Sequence, residues 1–190
     1  MSAVEKPFLM LVEDVFHLSR GGIVMATGRI ERGRVRTGDG VELIGFGSDA
    51  LAHVTDIDVG GLRVDEAGSG MNIGLLLPGA VAGAAERGQV LAAPGSIGAH
   101  TAFTADITML PKEHGGGDVL TGEGLHVHVL AAAVRGVVTL PRETDALRPL
   151  HVGAVTITLE RPVALEEGQS FAVRRHGRAA GSGTVTRLLP

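Results

Sequence analysis

The chain has 190 residues, of which 44% are hydrophobic and 20% charged, and a formal net charge of −4. It is long enough for one large domain or two small ones and apolar enough to bury a core, which excludes a disordered chain. It contains no Cys, Tyr or Trp and five Phe. Disulfides, thiolate zinc sites and Cys nucleophiles are therefore excluded, and a stacking platform for single-stranded nucleic acid is poorly supplied.

The acidic excess lies in the first half and the second half is balanced, so neither has the basic surplus of a dedicated nucleic-acid binder. The N-terminal residues show no basic and apolar leader pattern, and no apolar run reaches the length of a membrane span. The expectation is a cytoplasmic protein without membrane contact.

In chain order, turn signals recur at Arg20-Gly21-Gly22, Thr37-Gly38-Asp39-Gly40, Gly60-Gly61 and Gly68-Ser69-Gly70. Gly in these places accepts a positive φ at little steric cost. Helical signal is thin; Ala80 to Glu86 predicts one or two turns, ended by Gly88. The small residues from Ala92 to Gly98 include Pro94-Gly95 and read as a linker, which predicts domains over 1–94 and 95–190. Beyond it, Phe103, Ala105, Ile107 and Met109 alternate with polar residues, as do Val155, Ile157 and Leu159, which predicts half-buried antiparallel strands. Gly115-Gly116-Gly117 and Glu167-Gly168 predict further turns. The turns Glu86-Arg87-Gly88-Gln89 and Glu166-Glu167-Gly168-Gln169 repeat one pattern in the two halves. Many short strands with dense Gly turns predict an all-β fold of barrels or sandwiches.

Candidate chemistry is sparse. His126-x-His128 places two imidazoles on one side of a strand, but no spacing supplies the third ligand of a catalytic zinc site. Glu113-His114 reads as a loop. Glu166-Glu167 reads as an acidic turn, and no Ser stands in a Gly-x-Ser-x-Gly setting. No cofactor, metal or catalytic constellation is expected.

Longer blocks carry a resemblance. Lys6-Pro7-Phe8-Leu9-Met10, Val12 to Phe16, Thr27 to Gly33, Gly38-Asp39 with Val41 to Gly45, Glu86 to Ala92, Pro94 to Ile97, His100-Thr101, Phe171 to Arg174 and Gly177-Arg178 follow one another with the spacing of elongation factor Tu, domains 2 and 3. The chain resembles that family, the GTPases that deliver aminoacyl-tRNA to the ribosome. The resemblance implies two tandem six-stranded antiparallel β-barrels. The family's GTPase domain needs G-x-x-x-x-G-K-[ST], whose amides and Lys hold the phosphates. Here Lys6 follows Glu5 and Lys112 follows Pro111, so GTP hydrolysis by that mechanism is not expected.

The resemblance also implies sites. In domain 2 the aminoacylated 3′ end of tRNA sits in a pocket. Its counterparts here are Phe16 and Leu18 as apolar floor, Asp58 on a wall that continues Val59-Gly60-Gly61 where the family has Met-Phe-Arg, and Asn72 after Met71. The strand following Leu18 is one residue longer than in the family, which implies a bulge or a shifted turn in 22–28. In domain 3, which grips the tRNA T-stem, a cationic family stretch has become Gly115-Gly116-Gly117-Asp118, leaving Arg174, Arg175 and Arg178 as phosphate contacts. Leu75-Leu76-Leu77 corresponds to a buried strand. Two functions follow: a binding module without GTPase domain that contacts tRNA or the ribosome, or a protein-interaction module that docks a separate GTPase or other partner and has lost tRNA binding.

Overall fold

A computed structural model describes residues 4–18, 22–81 and 83–190. Of the expected turn at Arg20-Gly21-Gly22, only Gly22 falls among them. Two compact units divide the chain, Met1–Gly98 and Ala99–Pro190.

The first unit is built of β1 (Leu9–Leu11), β2 (Asp14–His17), β3 (Val24–Arg32), β4 (Arg34–Arg36), β5 (Gly40–Ile44), β6 (Ala50–His53), β7 (Asp56–Val59), β8 (Leu62–Val64), β9 (Glu66–Gly68), β10 (Asn72–Leu77) and β11 (Val90–Ala92). A curled nine-stranded sheet runs β6-β5-β11-β1-β3-β10-β7-β8, with β2 paired on β3, and β4-β9 forms a separate ribbon. The β2–β3 ladder runs from Asp14 opposite Thr27 to His17 opposite Val24 without a shift. A register shift lies at the other end of β3, where Leu9 and Met10 face Arg32 and Ile30. Leu75 and Leu77 are fully buried with Met10, Ile30, Leu43 and Ile57, because alternate residues of each strand face one interior. The predicted helical stretch shortens to a single 3₁₀ turn at Gly79–Val81.

The second unit contains β12 (Gly98–Met109), β13 (Gly124–Val129), β14 (Ala132–Thr139), β15 (Val152–Leu165), β16 (Ser170–Arg175) and β17 (Arg178–Leu188). They close into a barrel in the order β12-β15-β14-β13-β16-β17, so no strand edge is left open. The alternation expected for 103–109 and 155–159 lies inside β12 and β15. Its inward residues include Phe103 and Phe171, whose rings meet edge to face at 5.5 Å.

The two Glu-x-Gly-Gln turns share one geometry. The Gln89 N–H donates to Glu86 O and the Gly88 N–H to Val12 O; the Gln169 N–H donates to Glu166 O and the Gly168 N–H to Val185 O. Both glycines sit at positive φ, 101° and 84°. The side chains diverge: Gln89 is buried and donates to Gly45 O at 2.9 Å, whereas Gln169 is half-buried and donates to Ser170 O.

Candidate functional site

In the first unit, cross-strand pairing decides which side chains meet. Thr27 of β3 lies opposite Gly74 of β10, which lies opposite Asp58 of β7, and Asn72 lies opposite Arg29. Directly opposed residues share a face, so Asp58 and Asn72 come together on the outer surface. A pocket of about 250 Å³ opens there, lined by Glu13, Met25, Thr27, Asp58, Asn72 and Gly74 among others. Its floor exists because Gly74 has no side chain: a Cβ there would lie 3.0 Å from the Met25 sulfur. Phe16 and Leu18, expected as the apolar floor, do not line it. Phe16 lies on the same face one row away, opposite Met25; Phe16 and Leu18 are exposed, at 49% and 39%.

The charged residues that line the pocket are Glu13 and Asp58; Arg63 lies directly opposite Asp58 and Arg29 opposite Asn72, on the same face of the sheet. One Asp58 oxygen accepts from the Gly61 N–H at 3.0 Å. That bond closes the β7–β8 hairpin, whose two-residue turn has positive φ at both Gly60 and Gly61. The ring and cation of the family wall are thus replaced by the two residues of a tight turn.

A larger cavity of about 710 Å³ lies between the N-terminal segment, β3, β4 and β9. Several of its charges are paired. Arg34 contacts Glu5 at 2.8 Å and also bonds Glu66, which Arg36 contacts at 2.5 Å. Hydrogen bonds from Arg34 and then Arg36 hold the Glu66 carboxyl below the usual carboxylate range.

In the second unit, the three arginines expected to act together have different surroundings. Arg175 is only 15% exposed; it donates to Gly116 O at 2.7 Å, Asp118 O at 3.0 Å and Glu123 at 2.5 Å. Its guanidinium is committed to the protein's own loop. The three glycines make that loop possible: a Cβ on Gly116 would lie 1.8 Å from Leu110 O, and one on Gly115 would lie 2.6 Å from Ala179 O. Arg174 and Arg178 are exposed at either end of the β16–β17 turn. His176 and Gly177 in that turn both have positive φ, and Arg174 Nη2 donates to Gly177 O at 2.7 Å.

The register adds residues that spacing did not reveal. His126 of β13 is flanked by Arg174 of β16 on one side and Arg135 of β14 on the other. His128 is flanked by Ala133 and Ala172, whose small side chains leave a hollow. That hollow, about 340 Å³, is lined by His126, His128, Ala133, Arg174 and Gly177. Partial burial, then the charge of Arg174, then that of His126 push the His128 pKa below its ordinary value. Arg135 leans the other way, over Gly124, and reaches Glu160 at 3.9 Å. Neither Arg135 nor the juxtaposition of His126 with Arg174 is visible without knowing which strands pair.

Among the described residues, no group of three or more His, Cys, Asp or Glu is placed to hold a metal ion. No helix among them is long and apolar enough to cross a membrane.

Comparison with known families agrees with the two-unit architecture. Residues 24–92 match the model of elongation factor Tu domain 2, and residues 96–189 match that of the elongation factor Tu C-terminal domain. Both matches are to β-barrel domains of the family and not to its GTPase domain.

Proposed function

The chain belongs to the elongation factor Tu family through its domain 2 and C-terminal domain, and on that premise we propose that it is a non-catalytic binding module contacting RNA of the translation apparatus, tRNA first, through the outer face of its second barrel. The observation that carries this reading is the row Arg135–His126–Arg174 across three adjacent strands, with Arg178 beyond the turn. Arginines held on a rigid sheet suit phosphate oxygens, because the guanidinium donors are preset in a plane. Arg175 supports the surface from beneath by fixing the 116–118 loop and is not itself a phosphate contact in this reading.

The pocket of the first barrel contributes less to RNA binding. Its carboxylates repel phosphate, and the family's ring and cation are absent from its wall. Asp58 and Asn72 remain the positions from which a terminal nucleotide would be read.

The test is an electrophoretic shift of charged and uncharged tRNA at low ionic strength. Wild type is expected to shift both, with little preference for the charged form. Arg174→Ala and Arg178→Ala are each expected to weaken the shift several-fold. No shift by wild type at low salt overturns the reading.

One observation favours a second reading. Phe16 and Leu18 stand exposed beside a pocket whose charged lining residues are Glu13 and Asp58, a surface better suited to a protein partner, such as a separate GTPase, than to RNA. Phe16→Ser separates the two: it leaves tRNA binding intact and removes a partner docked on the first barrel.

A further inference from the structure

We propose that His126 and His128 make the hollow on the second barrel a proton-coupled site for a phosphate group, so that RNA binding there tightens as pH falls. The inference rests on the RNA-binding reading above and adds the residues and the proton linkage that govern it.

Two residues apart on one strand face, His126 and His128 leave the backbone of β13 roughly 7 Å apart, on the same side, and both side chains line the hollow. Ala133 and Ala172 on either side of His128 keep the space between them open. Arg174 lines the same hollow and is anchored by its bond to Gly177 O, so one permanent cation is already in position.

The surrounding charges then set the sign. From β16 the hollow receives Arg174 and from the following turn Gly177, whose carbonyl accepts from Arg174; Arg135 of β14 stands opposite His126 but leans away over Gly124 and does not line the hollow. Arg178 stands beyond that turn. Two carboxylates of the flanking elements are engaged elsewhere: Glu160 of β15 faces Arg135, and Glu123 before β13 is bonded to Arg175. Neither lines the hollow. With the hollow empty, every charged neighbour of His128 opposes its protonation. A phosphate oxyanion between the rings reverses that balance, because each imidazolium then gains a charge-assisted N–H···O⁻ bond. Binding of the anion and uptake of protons are therefore linked, and each favours the other. Arg174 is the one permanent cation that lines the hollow.

The experiment uses the full chain in two arms at constant ionic strength. In the first, tRNA binding is measured by filter retention at pH 6, 7 and 8. Wild type is expected to bind about tenfold or more tightly at pH 6 than at pH 8, since one linked proton allows up to a tenfold change per pH unit. The double variant His126→Gln/His128→Gln is expected to show a flat profile. His114→Gln, an exposed histidine in the 112–114 turn, keeps the wild-type slope. In the second arm, inorganic phosphate is titrated while the ring protons of the histidines are followed by NMR. Phosphate is expected to raise the midpoints of His126 and His128 and leave that of His114 in place.

Binding of tRNA that does not vary with pH overturns the proton linkage while leaving the RNA reading intact. If tRNA fails to bind at any pH, the RNA reading is lost, and the phosphate titration decides the site alone: unchanged midpoints for His126 and His128 overturn it, and raised midpoints support it.

Discussion

Arg175 holds Glu123 at 2.5 Å although the two are separated by 52 residues in sequence, and the same guanidinium spans the carbonyls of Gly116 and Asp118. This contact joins the end of β16 to the loop between β12 and β13. It explains a cation where the surface gains little from one.

Replacing Arg175 by Ala leaves the buried Gly116 carbonyl and a partly buried Glu123 without their donor. The expected loss is about 2–4 kcal/mol of unfolding free energy, measured by urea denaturation. Arg175→Lys does not restore it, because one ammonium cannot reach three acceptors spread around a planar fork. A loss below about 0.5 kcal/mol contradicts the structural role.

Gly28 of β3 passes the β1 backbone so closely that a Cβ would lie 1.7 Å from Leu11 O. Gly28→Ala forces the strands apart and is expected to cost on the order of 3 kcal/mol or more. Gly83 has open space around its Cβ direction and no positive φ. Gly83→Ala is expected to change the melting temperature by no more than a degree or two. Equal effects of the two substitutions are incompatible with the packing described.

The strands were legible in the sequence because two-residue alternation and glycine turns are local signals; that they form barrels and not sandwiches came from the family resemblance. Phe103 to Met109 and Val155 to Leu159 announce their strands without knowledge of their neighbours. Asp58 and Asn72 were reachable through the family resemblance, and the structure brings them into one pocket. Phe16 and Leu18 were not separable from that pocket by sequence, because only the β2–β3 register puts Phe16 beside Met25, a row away from it. Arg175 was grouped with Arg174 by charge, although the alternation Phe171, Val173, Arg175 puts it in phase with the inward side of β16 and Arg174 out of phase. His126 reads as an ordinary strand histidine until its ladder neighbours, Arg135 and Arg174, are known.

The pH dependence of folding follows from His128. Its folded pKa is lowered, so the unfolded chain binds the proton more readily, and acid favours unfolding. Stability is full above the unfolded value of about 6.5 and declines as pH falls through it. In phosphate-free buffer, wild type is expected to melt lower at pH 5.5 than at pH 8, and His128→Gln to reduce that difference. A melting temperature that rises on acidification, or an identical decline in the variant, contradicts the assignment. The sign is opposite to that expected for phosphate binding, so the two effects are separable on one protein.

The most direct measurement is the salt dependence of tRNA affinity for wild type and for Arg174→Ala/Arg178→Ala. Three or four phosphate contacts give a slope of log Kobs against log salt of about −3, and removing two cations reduces its magnitude by about 2. A wild-type slope near zero, or a double variant that keeps the full slope, places the RNA elsewhere and contradicts a phosphate-binding face on the second barrel.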